Sequence, residues 1–352
     1  MQYKNFGRRT GLRVSELALG TGNFGTGWGH GAERDEARSM FDGYLEAGGN
    51  FIDTADGYQG GQAEVMLADF IAPERDRLVL ATKYTLGAAG QATVHTTGNS
   101  RKTMVQSVEA SLKRLDTGYI DLLWVHFPDG HTPMEEILRG LDDLVRSGKI
   151  LYAGLSNFPA WRVARADAIA ELRGWAPIVG MQMEYSLVER SADREALPML
   201  DALGLGGALW SPLGGGLLTG KYRNNEEGRL QGLNGFLTHT EKTERDRHTV
   251  DAVLAVAAEL DATPTQVAIA WLLHRDAVSH TALVPILGPR TRAQLDGTLG
   301  ALQLKLSPEQ VARLDAASAI ALGAPYEVNA QTSVRIAGGQ PELLLPSKLP
   351  VA

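Results

Sequence analysis

The chain has 352 residues and a formal net charge of −7, with 40 glycines and no cysteine. The lack of cysteine excludes a disulfide framework, thiolate metal sites and cysteine nucleophiles, and it suits the reducing cytoplasm. The mild acidity argues against binding to nucleic acids or anionic membranes, and no apolar run of about 18 residues predicts a membrane span. The first residues lack the apolar core of a signal peptide. We therefore expect a cytoplasmic globular protein.

Short apolar runs alternate with amphipathic stretches along the chain. The predicted strands cover residues 17–21, 50–55, 77–84, 120–126, 150–157, 178–185, 206–212 and 282–288. The helical patterns cover residues 33–47, 62–71, 100–115, 133–147, 159–173, 191–203, 244–260 and 290–301. Continuous apolar strands are typical of parallel sheets that helices cover. Eight such units predict a (β/α)8 TIM barrel, with a doubly wound parallel sheet as the alternative.

Polar residues at the strand ends favour the barrel. The residues at or just past a predicted strand end are Asp53, Lys83, His126, Asn157, Gln182 and Ser211. Barrel enzymes build their sites from the carboxyl ends of many strands, whereas a doubly wound sheet concentrates ligand residues at one switch point. We expect a single domain over residues 1–352, with the barrel at about 17–301 and an extra helix and tail at 302–352.

Several segments fall outside a minimal barrel. Residues 1–16 contain an Arg-Arg-Thr-Gly turn, which predicts a β-hairpin that closes one end of the barrel. Residues 213–243 form a long connection rich in Gly and Asn, and residues 307–319 predict an extra helix. We expect the loop 85–99 and the tail 320–352 to be mobile and to shape the pocket.

The segment from Gly20 through Gly22 to Gly25 has the spacing G-x-G-x-x-G directly after a strand. A dinucleotide-binding Rossmann loop needs the third glycine to open a helix, with an acidic strand end about 20 residues later. Here the helical pattern starts only near Glu33, and the next strand ends at Asp53. These glycines are therefore interpreted as a flexible loop at the rim of the substrate pocket.

Asp53, Tyr58, Lys83 and His126 bring a carboxylate, a phenol, an ammonium and an imidazole to successive strand ends. A tyrosine hydroxyl has a pKa near ~10, and a nearby ammonium lowers that pKa by favouring the phenolate. A carboxylate keeps the ammonium charged, and an imidazole can orient a carbonyl oxygen. This set suits protonation of the oxyanion that forms when a hydride reaches a carbonyl carbon. Taken singly, each residue also has a purely structural explanation.

These residues lie in segments that resemble the aldo-keto reductase superfamily. Residues 51–64 resemble its Asp-x4-Tyr segment, and six later blocks follow in family order over about residues 3–320: ATKY, DLLWVH, GLSNF, MQMEYS, SPLGGGLLTGKY and PILGPRTRAQLDGTL. The glycine-rich block is similar to the bacterial and potassium-channel β-subunit-like branch. The resemblance implies a TIM barrel that binds NADPH and reduces a ketone or aldehyde, with alcohol oxidation as the reverse reaction.

The resemblance also implies roles for single residues. It makes Tyr58 the general acid, Lys83 the group that lowers its pKa, Asp53 the partner of Lys83, and His126 the group that orients the carbonyl. The positions that match cofactor contacts are Gly22, Ser156, Asn157, Gln182, Tyr185, Ser211, Leu213, Gly215, Thr219, Lys221, Gly288, Arg290, Gln294 and Thr298.

Ser156, Asn157 and Gln182 match the positions that hold the nicotinamide carboxamide. Tyr185 matches the aromatic residue on which the nicotinamide ring stacks. Trp210 stands where the family usually has tyrosine, and we interpret that difference as a change of packing.

Residues 211–221 match the strap over the pyrophosphate, and the run Gly214–Gly216 would let backbone amides approach its anionic oxygens. Arg290 matches the site of the adenosine 2′-phosphate, which favours NADPH over NADH because a guanidinium suits phosphate. Gly297 and Thr298 replace the acidic residue and asparagine that usually contact the adenine. The strength of the preference for NADPH therefore stays open.

The aromatic candidates for the pocket are Phe24, Trp28, Tyr84, Phe127, Phe158 and Trp161. Aromatic walls suit an apolar or cyclic carbonyl substrate, although some of these rings could belong to the core. One alternative is a regulatory, channel-β-like subunit that binds NADPH with little turnover. Another is a metal hydrolase that uses His126 and Asp53. The sequence is compatible with a homo-oligomer and does not identify the physiological carbonyl.

Overall fold

The chain begins with an antiparallel hairpin of β1 (Tyr3–Asn5) and β2 (Arg13–Ser15), in which Tyr3 pairs with Ser15. Phe6 follows β1 and is fully buried, with its ring edge-on to that of Trp124 at 6.1 Å between centroids. A Cβ atom at Gly180 would come within 2.5 Å of the Phe6 ring, so glycine there makes room for it. The predicted hairpin is confirmed, and its Phe6 fills one end of the fold.

Eight parallel strands close into a barrel in the order β10-β3-β4-β5-β6-β7-β8-β9. They are β3 (Ala18–Gly20), β4 (Phe51–Asp53), β5 (Val79–Tyr84), β6 (Ile120–Val125), β7 (Ile150–Ser156), β8 (Ile178–Glu184), β9 (Gly206–Trp210) and β10 (Leu283–Leu287). Each strand lies within its predicted range. The TIM barrel is confirmed, and closure of the sheet excludes the doubly wound alternative.

The computed structural model describes residues 1–88, 92–224, 239–345 and 347–350. Parts of the loop 85–99, the connection 213–243 and the tail 320–352 lie outside these ranges, so our expectations for those parts are not tested. The helices are α1 (Arg34–Glu46), α2 (Gln62–Ile71), α3 (Arg101–Leu115), α4 (Met134–Arg146), α5 (Ala160–Arg173), α6 (Ala196–Leu203), α7 (Glu244–Glu259), α8 (Pro264–Val278), α9 (Arg292–Leu299), α10 (Pro308–Ser318) and α11 (Tyr326–Ile336).

The sequence analysis did not identify α8. Six consecutive residues from Val267 to Leu272 are buried, so the helix lacks the polar face that reveals a helix by its periodicity. The missed signal lies at its start, where Thr263 and Gln266 form a capping box around Pro264. In the described ranges no single helix is long and apolar enough to cross a membrane. By length and composition alone, α7 and α8 pass that test as a pair bent by 100°.

The extra helix near the carboxyl terminus forms as predicted, because Ser307 caps α10 with Gln310 as its capping-box partner. The tail contains a further helix, α11, which the sequence analysis did not include. None of its residues is buried, so its pattern carried no apolar stripe that packs against the barrel.

The glycine-rich segment after β3 forms a loop and not the start of a helix. The loop is closed by hydrogen bonds from Gly25 N to Ala32 O, at 2.9 Å, and from Ala32 N to Asn23 O, at 2.7 Å. Helix α1 begins only at Arg34. The Rossmann interpretation is therefore excluded, as the sequence predicted.

Candidate active site

A buried ion pair and a tyrosine lie together at the carboxyl ends of β4 and β5. Lys83 Nζ donates to Asp53 Oδ2 at 2.5 Å, to the Tyr58 hydroxyl at 3.0 Å and to the Thr54 carbonyl at 2.8 Å. Lys83 is completely buried and Asp53 is 2% exposed, whereas Tyr58, in a helical turn after β4, is half-buried. The structure thus joins three of the four residues that the sequence assigned to the chemistry.

The Lys83 ammonium stays charged in this buried place. Burial alone would lower its pKa, but the adjoining Asp53 carboxylate and the Tyr58 oxygen raise the pKa above its ordinary value. A fixed positive charge 3.0 Å from the Tyr58 oxygen stabilises a phenolate there. The arrangement therefore eases loss of the Tyr58 proton at the rim of the barrel.

His126 completes the group from the end of β6. Its ring lies 6.1 Å from the Tyr58 ring at an interplanar angle of 77°. Burial, and then the Lys83 charge, hold its pKa well below the ordinary value, so the imidazole is neutral at pH 7. Among the described residues, its buried Nδ1 atom has no hydrogen-bond partner. A neutral imidazole beside a phenol can donate one hydrogen bond to a substrate oxygen.

Amide side chains occupy the neighbouring strand ends. Gln182 Nε2 donates to Asp53 Oδ1 at 2.8 Å, and Asn157 Nδ2 donates to the His126 carbonyl at 3.0 Å and to the Ser156 hydroxyl at 3.1 Å. Asn157 has a left-handed backbone with φ of 60°, as does Ser211 after β9 with φ of 55°. Strained residues of this kind persist where the surroundings hold them and cluster at functional sites.

The glycine turn after β9 differs from our expectation. Gly214, Gly215 and Gly216 all have positive φ, but their amides donate within the turn, to Ser211 O, Ser211 Oγ and Leu213 O. These amides are therefore already engaged and do not form an open anion cradle. The turn is further tied by hydrogen bonds from Thr219 Oγ1 to Gly216 O and from Tyr222 OH to Gly215 O, and the Lys221 ammonium lies over the Tyr222 ring at 5.3 Å.

Arg290 lies just before α9, whose N-cap is Thr291. Its guanidinium reaches the His30 ring at 3.4 Å, and its backbone amide donates to Gln294 Oε1 at 2.9 Å. A guanidinium at the positive end of a helix suits a phosphate group. The Thr298 hydroxyl donates to the Gln294 carbonyl of its own helix. Outside that helix, no atom of the described residues would lie within 4 Å of a Cβ atom at Gly297. Exposed Gly288 accepts a hydrogen bond from Asn23 at 2.9 Å.

The candidate catalytic residues and the candidate cofactor-contact residues thus lie on different strands of the barrel. The ends of β4, β5 and β6 carry Asp53, Lys83 and His126. The residues that matched cofactor contacts lie at the ends of β7 to β10 or in the segments that follow these strands, except Gly22, which follows β3. The chain matches the model of the Aldo/keto reductase family over residues 16–319. The chain belongs to the aldo/keto reductase family.

Relatives of this aldo/keto reductase support the same class. It is 37% identical over 324 residues to a norsolorinic acid reductase of Aspergillus flavus, a match that covers 90% of this chain and 80% of that protein. It is 36% identical to an aryl-alcohol dehydrogenase [NADP(+)] of Phanerodontia chrysosporium, over 90% of this chain and 86% of the relative. The protein is thus a nicotinamide-dependent oxidoreductase of CH–OH and C=O groups, which removes the metal-hydrolase alternative.

In this aldo/keto reductase, Tyr185 does not lie at the rim. Its ring is fully buried and stacks on Trp271 at 5.5 Å, and its hydroxyl donates to Asp193 at 2.7 Å. In this position it cannot stack on a nicotinamide, so that prediction is wrong. Trp210 is half-buried at the end of β9, and its indole N–H donates to Asn157 Oδ1 at 3.1 Å.

Three predicted pocket residues also belong to the core. Phe24 is fully buried against Phe70 at 6.4 Å, Tyr84 is 1% exposed and Phe158 is 2% exposed. None of these rings can contact a substrate in this structure, because none reaches a surface. Among the other candidates, Trp28 lies edge-on to Tyr58 at 6.0 Å and Phe127 stacks on His126 at 4.6 Å. Trp161 is 64% exposed, and among the described residues its ring has no contact with that of Tyr58 or His126.

The sequence analysis missed Asp56, which lies two residues before Tyr58 and is 2% exposed. Neither carboxyl oxygen has a hydrogen-bond partner among the described residues. Burial, followed by repulsion from Glu64, raises its pKa from 3.8 to about 7, although Arg114 and Lys83 oppose the rise. Nothing in the sequence distinguishes Asp56 from an exposed loop acid.

Asp56 should make the free energy of unfolding fall as the pH rises. Because its pKa is higher in the folded state, its contribution is fully present in acid and is lost as the pH rises through about 7. We expect Asp56→Asn to raise the free energy of unfolding by about 2–4 kcal/mol at pH 8 and to change it little at pH 4. Urea unfolding at both pH values measures the difference.

Asp129 provides a matched control of opposite sign. Partial burial would raise its pKa, but hydrogen bonds from Thr132, Asn99 and His131 lower it below its ordinary value. Its contribution is therefore present above the unfolded pKa and is lost in acid. Asp129→Asn should destabilise the protein at pH 8 and less so in acid. The assignment of Asp56 fails if both variants follow pH in the same direction.

Proposed function

We propose that the protein is an NADPH-dependent carbonyl reductase in which Tyr58 is the general acid. The observation that carries the proposal is the buried Lys83 ammonium, 2.5 Å from the Asp53 carboxylate and 3.0 Å from the Tyr58 hydroxyl. Membership of the aldo/keto reductase family supports the reaction class.

When bound, a nicotinamide cofactor would supply the hydride that forms the new C–H bond. Tyr58 gives its proton to the carbonyl oxygen, which becomes the alcohol oxygen, and the charge left on Tyr58 is stabilised by Lys83. Asp53 keeps Lys83 charged and in place, and neutral His126 donates a hydrogen bond that orients the carbonyl. In the reverse direction the Tyr58 phenolate accepts the proton of the alcohol. A positioned general acid contributes about 10²–10⁴-fold to the rate.

The residues at the other half of the rim fit a nicotinamide dinucleotide. The uncharged amides of Asn157 and Gln182 match the donor and acceptor groups of a carboxamide, and Trp210 offers an aromatic face beside them. Arg290 suits a 2′-phosphate, and Lys221 is the nearby charge for the pyrophosphate. The name of the relative from Phanerodontia chrysosporium includes NADP(+), which supports the same preference here.

We further propose an aromatic or cyclic carbonyl as the substrate. Trp28 and Phe127 present rings beside Tyr58 and His126, and such walls favour planar apolar ligands. The relatives named norsolorinic acid reductase and aryl-alcohol dehydrogenase support this class.

Loss of NADPH absorbance with a panel of carbonyls tests the proposal. The panel contains aryl aldehydes, quinones, polycyclic ketones and small aliphatic aldehydes, and the aromatic members should be reduced fastest. Tight binding of NADPH with no turnover on any member would contradict the proposal and support the regulatory alternative.

Arg290 should determine the choice of cofactor. We expect Arg290→Ala to weaken NADPH binding by roughly 10–100-fold and to leave NADH binding unchanged, because a hydrogen bond to a charged group contributes about 1.5–3 kcal/mol. Titration of both cofactors by fluorescence measures the ratio. Arg292→Ala is the control, since that arginine is already engaged by Asp296 and Glu46. An equal loss for NADPH and NADH would contradict the assignment.

A further inference from the structure

One side chain next to the catalytic tyrosine fastens the loop of residues 21–33. Gln59 follows Tyr58 and is fully buried. Its Nε2 donates to the carbonyl oxygens of Gly22 and His30, both at 2.9 Å, and its Oε1 accepts from the backbone amide of Trp28 at 2.9 Å. Both N–H groups and the oxygen of the Gln59 side-chain amide therefore form hydrogen bonds with the backbone of this loop.

The backbone at Gln59 is held in an unfavourable conformation. It has φ of 51° and ψ of 33°, in the left-handed region, and Gly60 continues there with φ of 71°. A side chain in this region costs about 1–2 kcal/mol, so the surroundings have to maintain it. Here the conformation turns the Gln59 amide toward the loop while Tyr58 faces Lys83.

Two glycines let the backbone of this loop pack closely against Gln59. A Cβ atom at Gly27 would come 2.3 Å from the Gln59 carbonyl oxygen, and one at Gly25 would come 2.9 Å from Gln59 Cβ. Gln62 adds two contacts, because its Oε1 accepts hydrogen bonds from the backbone amides of Thr26 and Gly27, at 2.8 and 3.1 Å. These contacts explain Gly25 and Gly27, because larger residues there would push the loop off the Tyr58 turn.

The loop carries Trp28 to the exposed side of Tyr58. The indole is 41% exposed, and its ring lies 6.0 Å from the Tyr58 ring at 79°. The Gln59 side chain holds the backbone amide of Trp28, so the place of the indole depends on that contact.

We propose that Gln59 is a positioning residue that holds Trp28 beside Tyr58 and thereby sets a preference for aromatic over small aliphatic carbonyls. This inference rests on the proposed carbonyl reduction. Gln59 touches no reacting atom and acts only through the loop.

The test compares Gln59→Leu, Trp28→Ala and the double variant on an aryl aldehyde and on propanal. Gln59→Leu should lower kcat/KM for the aryl aldehyde by roughly tenfold, mainly through KM, and leave propanal nearly unchanged. The double variant should be no worse than Trp28→Ala alone, because Gln59 acts through Trp28. Gln59→Asn is the second variant, since asparagine tolerates the left-handed backbone but is too short to keep all three contacts. Gln106→Leu on exposed α3 surface is the control.

A second readout needs no turnover. The tryptophan emission of each Gln59 variant is compared with that of the same variant carrying Trp28→Phe, which isolates the Trp28 signal. We expect Trp28 to become more accessible to acrylamide when Gln59 is replaced. If the wild-type protein reduces no carbonyl, the proposed function fails while this measurement still decides whether Gln59 holds the loop. Equal losses on both substrates, full additivity in the double variant, or an unchanged Trp28 signal would each overturn the inference.

Discussion

Tyr58→Phe should lower kcat for carbonyl reduction by about 10²–10⁴-fold and leave the Kd for NADPH unchanged. The substitution removes one oxygen atom, the one that lies 3.0 Å from Lys83 Nζ. The half-buried ring remains, so the edge contact with Trp28 and the surrounding packing are kept. Because the same group takes the proton in the reverse reaction, alcohol oxidation should fall by the same factor. Steady-state kinetics in both directions, with cofactor binding by fluorescence, measures the effect.

Tyr84→Phe is the matched control for that experiment. Tyr84 lies on β5 next to Lys83 but points into the core, where its hydroxyl is 3.5 Å from the Asn99 carbonyl. This variant should keep nearly full activity. Turnover by Tyr58→Phe close to that of the wild-type protein would refute the role of Tyr58.

Lys83→Met should lower both the free energy of unfolding and the rate of carbonyl reduction. Removal of the ammonium leaves the buried Asp53 carboxylate without its positive partner, and breaking a buried pair in this way costs about 3–5 kcal/mol. Gln182 still donates to Asp53 but supplies no charge. Turnover should fall as well, because the phenolate of Tyr58 loses its stabilising charge. Thermal or urea unfolding and carbonyl reduction are measured on the same preparations.

The double variant Lys83→Met/Asp53→Asn separates the two effects. With both charges gone, most of the lost stability should return, since replacing a buried pair is often close to neutral. Activity should stay low, because the ammonium next to Tyr58 is still missing. Recovery of activity together with stability would mean that Lys83 matters only for folding.

The barrel could be predicted because its signals are local. Strands covered on both faces are continuously apolar, and polar residues such as Asp53, Lys83 and Asn157 mark the ends at which the sheet faces the site. Because these residues end successive parallel strands, the sequence predicted that they lie around the same end of the barrel. Their convergence needed only the closed parallel topology, which explains why three catalytic candidates meet as expected.

The remaining features depend on contacts that the sequence does not display. Tyr185 and Trp210 both follow apolar strands, and only the course of the chain after each strand decides which ring is buried on Trp271. The amides of the glycine turn were expected to be open, but the turn itself engages them. Gln59 looks like an ordinary loop residue until its three loop contacts are known.

The end of the barrel that Phe6 fills bears on how Tyr58 would be reprotonated between turnovers. Phe6 fills that end together with the hairpin, Lys83 is fully buried and Asp53 is 2% exposed. In the proposed reaction the half-buried Tyr58 would regain its proton from the rim, the side by which the product departs. A bulky product bound beside Trp28 would then delay both reprotonation and its own release, and turnover would become sensitive to deuterated solvent.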